Sequence, residues 1–507
     1  MAVDRRTFLR TSTVATGVFA FGPAFWQDAL AAPATPGPGP YGPPGAPDPV
    51  TGLAVPEGFS VREIARGGTP VSGTAYTWHP FSDGSGCFAQ PDGGWILASN
   101  SEVPGLPQGG ASSITFDADG KMIGARRILA GTTMNCAGGV TPWGTWLSCE
   151  EMASGQVWEC DPLGEQAAIV RPAMGRFTHE AVCVDAANKR LYLTEDNADG
   201  CFYRFTPTTY PDLSAGRLDV MLVDEAGKVT WAPVPDPAGA TPTRSQVPGA
   251  AKFARGEGTW FDEGVVYFVT TTESRLYALH VEEQLLELVY DGSALGLQAE
   301  LTGIDNVTVH PKSGDIFVAE DGKTDATLDV GLITADRIAS RFITASGPQH
   351  DASELTGPSF DPSGTRLYIA SQRANGLGSV YEVSGPFRQQ RPGGGGTSLD
   401  DTRRPGVNLR VLGKAKVAGV RRAGLPLAIR ADEDVRLEIT LRRRRAKGAG
   451  PVIARAQRQL KAGKRARLRL KVTRALPAGR SVPIVVSVKA TDAAGNVRTL
   501  KRNLRLR

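Results

Sequence analysis

Acidic side chains recur through most of this chain in a register that scattered loop residues do not keep. Glu102, Glu150, Glu195, Glu273, Glu320 and Gln372 follow one another at intervals of 48, 45, 78, 47 and 52 residues. A second polar set runs ahead of the first: Asn135 stands 15 residues before Glu150, Glu180 15 before Glu195, Glu257 16 before Glu273 and Asp305 15 before Glu320. One acid beside a turn is ordinarily a solvated loop residue. Acids at equivalent positions of a repeat converge on one place, where about eight carboxylates repel one another and are costly to strip of water. Multivalent cations neutralise such a set. Oxygen ligands in that number suit calcium, and a thiolate among them suits a transition metal such as iron. Cys149, followed directly by Glu150 and Glu151, is the thiol that falls in register. Cations in such a channel reverse its potential, activate water and stabilise a leaving oxygen, so the set suits metal-assisted hydrolysis.

The remaining reactive residues exclude other chemistries. The five histidines show no H-x-x-x-H or H-E-x-x-H spacing, which argues against a conventional zinc hydrolase. No G-x-S-x-G elbow and no phosphate-binding P-loop motif occurs. His179, beside Glu180, is expected to orient that carboxylate by a hydrogen bond. Of the six cysteines, Cys160, Cys183 and Cys201 are candidates for disulfide pairing in an exported protein, with connectivity open.

The elements that position the acids repeat with them. Turns such as Pro91-Asp92-Gly93-Gly94 and Asp361-Pro362-Ser363-Gly364 lead into apolar segments, 95–99, 145–148, 191–194, 265–270, 316–319 and 367–370, each ending beside an acid or amide. Six copies predict a six-bladed β-propeller, in which the inner strands line a central channel. The long interval before Glu273 contains a Pro-rich stretch, 206–250, which reads as an insertion between blades. With 60 Gly and 36 Pro in 507 residues, many short strands joined by tight turns are favoured over long helices, and the fold class is all-β.

The ends are different in kind. Arg5-Arg6 precedes an apolar run, 14–25, and Ala29-Leu30-Ala31, in the order of a twin-arginine export signal with a signal peptidase site. Residues 1–31 are therefore expected to be removed and the mature protein to be extracytoplasmic, at the envelope or secreted, with no transmembrane anchor. Residues 32–50 read as a mobile Pro/Gly-rich leader, 51–390 as the propeller, 391–404 as a Gly-rich linker and 405–507 as a small β-sandwich resembling immunoglobulin-like or fibronectin-like modules. Of 57 Lys and Arg, 30 fall in residues 401–507, whereas only 6 of 52 Asp and Glu do, which leaves 27 against 46 elsewhere. That basic surface reads either as a solvated Arg-rich face or as one that adheres to anionic wall polymer, nucleic acid or lipid headgroups; no specific nucleic-acid motif accompanies it.

The block Asn135-Cys136-Ala137-Gly138-Gly139-Val140-Thr141-Pro142-Trp143-Gly144-Thr145-Trp146-Leu147-Ser148-Cys149-Glu150-Glu151 resembles the signature of the PhoX family. In the same order follow Gly175-Arg176-Phe177-Thr178-His179-Glu180-Ala181, Tyr192-Leu193-Thr194-Glu195-Asp196, Phe253-Ala254-Arg255-Gly256-Glu257-Gly258, Asp305-Asn306 and the run from Thr356 to Gln372. The resemblance covers about residues 50–390 and implies a propeller holding ferric iron and calcium at its channel mouth and hydrolysing phosphomonoesters. It implies that Cys149 is the thiolate iron ligand, that Glu150, Glu180, Glu257 and Asp305 are carboxylate ligands and that Arg255 contacts phosphate. Arg255, Glu257 and Asp305 are the candidate catalytic set. Glu195, Asp196, Glu320 and Asp321 resemble further acids of the centre. Two features depart from the family pattern: Ile304 stands where larger relatives carry a lysine before the aspartate, and Gly256 replaces a proline. Two rival readings are a calcium-dependent lactonase or phosphotriesterase on a similar propeller, and a non-catalytic cell-surface binding protein stiffened by calcium.

Overall fold

The computed structural model describes residues 32–105, 107–239, 241–322, 327–391, 406–412, 416–431, 434–444, 452–461, 464–472, 481–491 and 497–506. The expected export signal, 1–31, and most of the expected linker lie outside them. The chain divides into two compact units, Met1–Gln389 and Gln390–Arg507. Among the described residues no helix is long and apolar enough to cross a membrane.

The first unit is a propeller because its strands are apolar on both faces, so each sheet must be covered twice. The second strands Trp95–Ser101, Trp146–Glu150 and Ile316–Glu320 are buried at every position. Six sheets form among the described residues of this unit. Blade one runs from its inner strand Ser82–Ala89 outward through Met122–Thr132, and blade two from Asn135–Val140 to Ile169–Val170. Blade three starts at His179–Asp185, blade four at Gly256–Asp262, blade five at Ile304–Val309 and blade six at Leu355–Phe360. Each inner strand neighbours the next, and blade six neighbours blade one, so the ring closes. Closure is completed in sequence by Ser60–Arg66, which adds the outer strand of blade six by pairing with Ser379–Ser384.

The cores lie between blades. Phe317 and Phe342 of blade five pack on Phe360 and Leu367 of blade six; Tyr192 and Phe202 of blade three pack on Val266 and Phe268 of blade four. Truncating one such aromatic to alanine costs about 3–5 kcal/mol. Side chains also pin neighbouring blades: Trp146 Nε1 donates to Asn100 Oδ1 at 2.8 Å and Trp95 Nε1 to the Tyr368 hydroxyl at 3.0 Å.

Two expectations need correction. Most of the stretch 206–250 is no insertion between blades: Phe202–Thr209, Asp212–Val223 and Val229–Pro233 are strands of a five-stranded blade three, and only 234–250 connects it to blade four. The leader is docked rather than mobile. Thr35–Pro36 pairs in parallel with Ile338 and Ala339, and the Tyr41 ring lies edge-on to Phe59, Phe342 and Phe387 at 5.3, 5.4 and 6.0 Å. Its prolines bury little by themselves, but they deliver one aromatic into a ready-made cluster.

The second unit packs two antiparallel sheets over an aliphatic core that includes Leu427, Ile429, Leu437, Ile439 and Val486. One sheet orders Val407–Val411, Leu425–Ala431 and Arg465–Leu470; the other orders Val452–Leu460, Val435–Arg443, Val482–Thr491 and Val497–Leu506.

Candidate metal centre

A repeated backbone device brings acids to the channel mouth. In every blade the residue just after the second strand donates its N–H to the carbonyl of the residue just before the inner strand. The pairs are Glu102 to Phe81, Glu151 to Met134, Asp196 to Thr178, Thr271 to Arg255, Asp321 to Gly303 and Gln372 to Glu354, at 2.7–3.2 Å. Four residues preceding the inner strand adopt left-handed φ: Phe81 at 52°, Met134 at 52°, Arg255 at 53° and Gly303 at 59°. For the three that are not glycine this costs about 1–2 kcal/mol each, a strain typical of sites that the surrounding fold over-determines. A β-bulge then interrupts each inner strand. In blades one to five it falls at the second residue, Asp83, Cys136, Glu180, Glu257 or Asp305. A bulge leaves one residue out of the ladder and re-aims its side chain. The inner strands approach so closely below this level that a Cβ on Gly84 would lie 2.4 Å from the Cα of Ala137, and one on Gly258 2.8 Å from that of Asn306.

The bulged residues meet those at the ends of the second strands in four overlapping groups. Their ligand atoms lie within 4.8 Å of one another: Cys136, Glu151 and Glu180; Glu180, Glu257 and Asp305; Asp305, Asp321 and Glu354; and Asp83, Glu102 and Glu354. Glu180, at 0 % exposure, belongs to two groups, and neither of its carboxylate oxygens has a hydrogen-bond partner. A buried carboxylate without partners is tolerable only if neutralised. Burial and the neighbouring acids Glu257, Asp305, Glu151 and Asp83 push its pKa well above the carboxylate range. Burial likewise raises Asp83 to about 6, Glu102 to about 7, Glu257 to about 8 and Glu151 to about 10, with acidic neighbours adding to the last three. Burial, then Asp83, Glu180 and Glu151, raises the Cys136 thiol. Donors this crowded fit multivalent cations: the group with sulfur suits a softer transition metal and the all-oxygen groups suit a hard ion.

Arg255 is the cation beside them. Its Nη2 lies 3.0 Å from Asp196 Oδ2 and 3.1 Å from Glu257 Oε1, its Nε lies 3.1 Å from Asp196 Oδ1, and its Nη1 lies 3.5 Å from Asp321 Oδ2. The side chain stays 38 % exposed, so part of the guanidinium faces the mouth.

The structure brings Glu180, Asp196, Arg255, Glu257, Asp305 and Asp321 together, and turns the other expected residues away. Cys149 is packed among Leu147, Val157 and Val182 between blades two and three, where burial raises its thiol pKa beyond reach; Cys136 supplies the sulfur at the centre instead. Glu150 accepts the N–H groups of Thr133 and Gln156 at 3.4 and 3.3 Å. Glu195 accepts from the Tyr203 hydroxyl at 2.7 Å, the Cys201 N–H at 3.1 Å and Arg244 Nη1 at 3.1 Å. Glu320 accepts the Thr302 and Asp329 N–H groups at 2.6 and 3.1 Å. These three glutamates are each the last residue of a second strand and staple loops of their own blade. The next residue, Glu151, Asp196 or Asp321, points the other way because strand side chains alternate. Glu273 stands clear of the four groups, 3.9 Å from Arg275 Nη1.

His179 does not orient Glu180. Its Nε2 pairs with the Gly175 carbonyl at 3.1 Å, its ring packs on Phe177 with centroids 3.6 Å apart, and burial lowers its pKa to about 4. All six cysteines are free thiols; Cys160, Cys183 and Cys201 belong to three different packed clusters, so none pairs. Sequence reasoning missed Asp83, Cys136, Glu151 and Glu354. A usable signal existed, since each bulged ligand is followed by a small or short residue: Asp83-Gly84, Cys136-Ala137, Glu180-Ala181, Glu257-Gly258 and Asp305-Asn306.

A closed propeller whose mouth gathers carboxylates, one thiol and an arginine defines a class of all-β protein built to hold multivalent cations. The family described as Alkaline phosphatase PhoX matches residues 104–159 and 152–285. The structure of Pseudomonas fluorescens PhoX in complex with vanadate, a transition state analogue, is similar with a TM-score of 0.58 and 17% identity, covering 68% of this chain and 97% of that one. Over residues 104–285, within the propeller, the chain is thus similar to the PhoX family. A putative 6-phosphogluconolactonase from Bacteroides uniformis also aligns, at 14% identity over 59% of this chain and 80% of that one, with a TM-score of only 0.35. No curated protein sequence matches the chain.

Proposed function

We propose that this chain is an exported phosphomonoesterase that hydrolyses small phosphate esters at the propeller mouth, with ferric iron and calcium as its metals. The observation that carries the reading is Glu180: a fully buried carboxylate with both oxygens unpartnered, shared by two ligand groups and flanked by Arg255 across Glu257. Cys136, Glu151 and Glu180 form the donor set for iron. Three oxygen-only sets, Asp83 with Glu102 and Glu354, Asp305 with Asp321 and Glu354, and Glu180 with Glu257 and Asp305, are the sets for calcium. Bound there, the metals would bind phosphoryl oxygens, activate water and stabilise the leaving oxygen.

The chain's own residues do the rest. Arg255 presents a planar fork to the equatorial oxygens of the ester, and Asp196 and Glu257 fix that fork from behind. Thr271 donates its hydroxyl to Glu257 Oε1 at 3.0 Å and so holds the carboxylate on which Arg255 rests. The Asn306 amide donates to Asp305 Oδ1 at 2.6 Å, and Asp305 belongs to two of the ligand groups. Gly84, Ala137, Ala181, Gly258, Asn306 and Gly357, the third residues of the six inner strands, line one cavity.

Binding of vanadate by the Pseudomonas relative supports phosphoryl transfer. A lactonase or triesterase would act on neutral esters and has no use for a fork-presenting arginine and a thiol in the centre. Full-length protein loaded with iron and calcium, assayed on p-nitrophenyl phosphate, a phosphodiester and a lactone, tests the reading. Monoester cleavage lost on chelation is expected; cleavage of the lactone alone overturns it.

The basic second unit fits retention on an anionic envelope polymer. Arg410, Arg430, Arg467 and Arg469 are exposed on one three-stranded face, with Arg410 and Arg467 flanking Ala428 and Arg430 opposite Asn408. Residues 401–507 contain no Phe, Tyr or Trp, so the face offers charge without stacking, which suits a phosphodiester polymer better than exposed bases.

A further inference from the structure

The residue ahead of Asp305 is Ile304, fully buried in the core between blades four and five, so no cation reaches the mouth from that position. A second guanidinium does reach it from elsewhere. Arg373 follows Gln372, the first residue after the second strand of blade six, and its backbone N–H is held by Ser353 Oγ at 2.9 Å. Its Nη1 pairs with Glu354 Oε1. Glu354 is 12 % exposed and belongs to two of the ligand groups, whereas the arginine side chain is 46 % exposed.

The two arginines flank one ligand group. Arg255 Nη1 lies 3.5 Å from Asp321 Oδ2; Asp321 and Glu354 lie within 4.8 Å of each other through their ligand atoms; and Glu354 is paired with Arg373. An anion seated on a cation held by Asp305, Asp321 and Glu354 therefore meets a guanidinium on each side. Once a cation shares the charge of Glu354, that carboxylate has less hold on Arg373, whose planar fork is free to grip a second pair of oxygens. Resting on the phosphomonoesterase reading, we infer that Arg373 is a second phosphate-binding residue of the site, which gives the mouth two cationic grips from blades four and six and selects dianionic monoesters over monoanionic diesters.

The test uses full-length protein loaded with calcium and iron. Orthophosphate binding is measured by calorimetry, metal content by elemental analysis, and KM and kcat on p-nitrophenyl phosphate and on a methyl phosphodiester. Loss of one charge-assisted contact predicts that R373Q weakens orthophosphate binding and raises KM for the monoester by about 10- to 100-fold, with metal content intact and the diester less affected. R373K is expected to fall between, since an ammonium keeps the charge and loses the fork. Unchanged orthophosphate affinity in R373Q overturns the proposal, as does loss of metal in R373Q, which would make Arg373 only a support for Glu354. Should R373Q fail to fold, an R373K protein that binds orthophosphate as tightly as wild type overturns it. Failure of the underlying reading looks different: wild type then holds metal but binds no orthophosphate and cleaves no monoester.

Discussion

Replacing Glu180 by glutamine should stabilise the metal-free protein and weaken its response to calcium. Glu180, Glu257 and Asp305 are 0, 2 and 7 % exposed, and their ligand atoms lie within 4.8 Å of one another. At that distance each ionised pair repels by about 3 kcal/mol at an effective dielectric constant of about 20. Glu180 takes part in two such pairs within this group, and its oxygens have no compensating donor. Protonation relieves part of the repulsion, because burial holds these acids well above their ordinary range. Glutamine keeps the shape and removes the charge, and an unpartnered amide costs less to bury than an unpartnered carboxylate. In EDTA at pH 8, E180Q should therefore be more stable than wild type by about 1–3 kcal/mol, the range expected for partly protonated pairs. In calcium at 100 times its Kd, each occupied set contributes about 2.7 kcal/mol by linkage, and the variant loses the contribution of the Glu180-Glu257-Asp305 set. Thermal unfolding in EDTA and in calcium reads both terms. An E180Q protein that is less stable than wild type in EDTA, or equally stabilised by calcium, refutes the argument that convergence of charge drives cation binding.

Three further outcomes follow from the same geometry. In iron-loaded protein, C136S should abolish any thiolate-to-metal absorption in the visible spectrum, whereas C149S should leave the band intact and cost about 1–3 kcal/mol of stability by burying a hydroxyl among Leu147, Val157 and Val182. In EDTA, Glu257 at about 8 and Glu151 at about 10 retain protons that the unfolded chain releases near the ordinary glutamate value. Their contribution is fully present below about pH 4.5 and is lost as pH rises through these values, by up to about 1.4 kcal/mol per pH unit per group, so a flat unfolding profile between pH 6 and 9 would contradict it. Neutralising Arg430, Arg467 and Arg469 together should lower the salt slope of binding to a phosphodiester wall polymer by about 2–3, at about 0.7–0.9 per lost contact, while an unchanged slope would place the contact on another face.

The sequence disclosed the all-β propeller and the repeat because turn chemistry and apolar runs are local signals. All six anticipated segments fall on the second strand of a blade, Thr145 alone lying one residue ahead of it. The ligands were harder to read, for a reason specific to sheets buried on both faces. Where one face is solvated, hydropathy tells which of two consecutive residues points inward. Here Glu150-Glu151 and Glu195-Asp196 are acid pairs and Glu320-Asp321 is another, so either member satisfies the pattern. Alternation sends the first into the blade, where it accepts backbone N–H groups, and the second to the mouth. The same ambiguity misassigned the thiol. Cys149 precedes an acid, but its side chain faces the gap between blades, and Cys136 reaches the centre only through a bulge, which leaves no hydropathy trace. Glu354 was invisible for a related reason. In blade six the bulge falls one residue later, after Thr356, whose hydroxyl is spent on the Ser82 carbonyl at 3.0 Å, so the ligand comes from the position before the strand.

The blades are thus equivalent in backbone and unequal in chemistry, and the inequality locates each subsite. The second residue of the inner strand reads Asp83, Cys136, Glu180, Glu257, Asp305 and Thr356 around the ring; the position after the second strand reads Glu102, Glu151, Asp196, Thr271, Asp321 and Gln372. Sulfur occurs once, in blade two, so a soft metal would be confined to the junction of blades two and three. Carboxylates without sulfur cluster in blades five, six and one, where a hard ion belongs. Blade four departs from the others: Thr271 replaces an acid, and Arg255 stands in the strained position that Phe81 and Met134 occupy elsewhere. Removing an anion and adding a cation on that one blade turns a ring built to collect metals into one with a side that can receive an anion. Arg373 extends the same logic from blade six, where Gln372 replaces the acid and the guanidinium follows directly. A symmetric ring of carboxylates would bind cations and repel phosphate on every side; two blades that break the pattern make room for it.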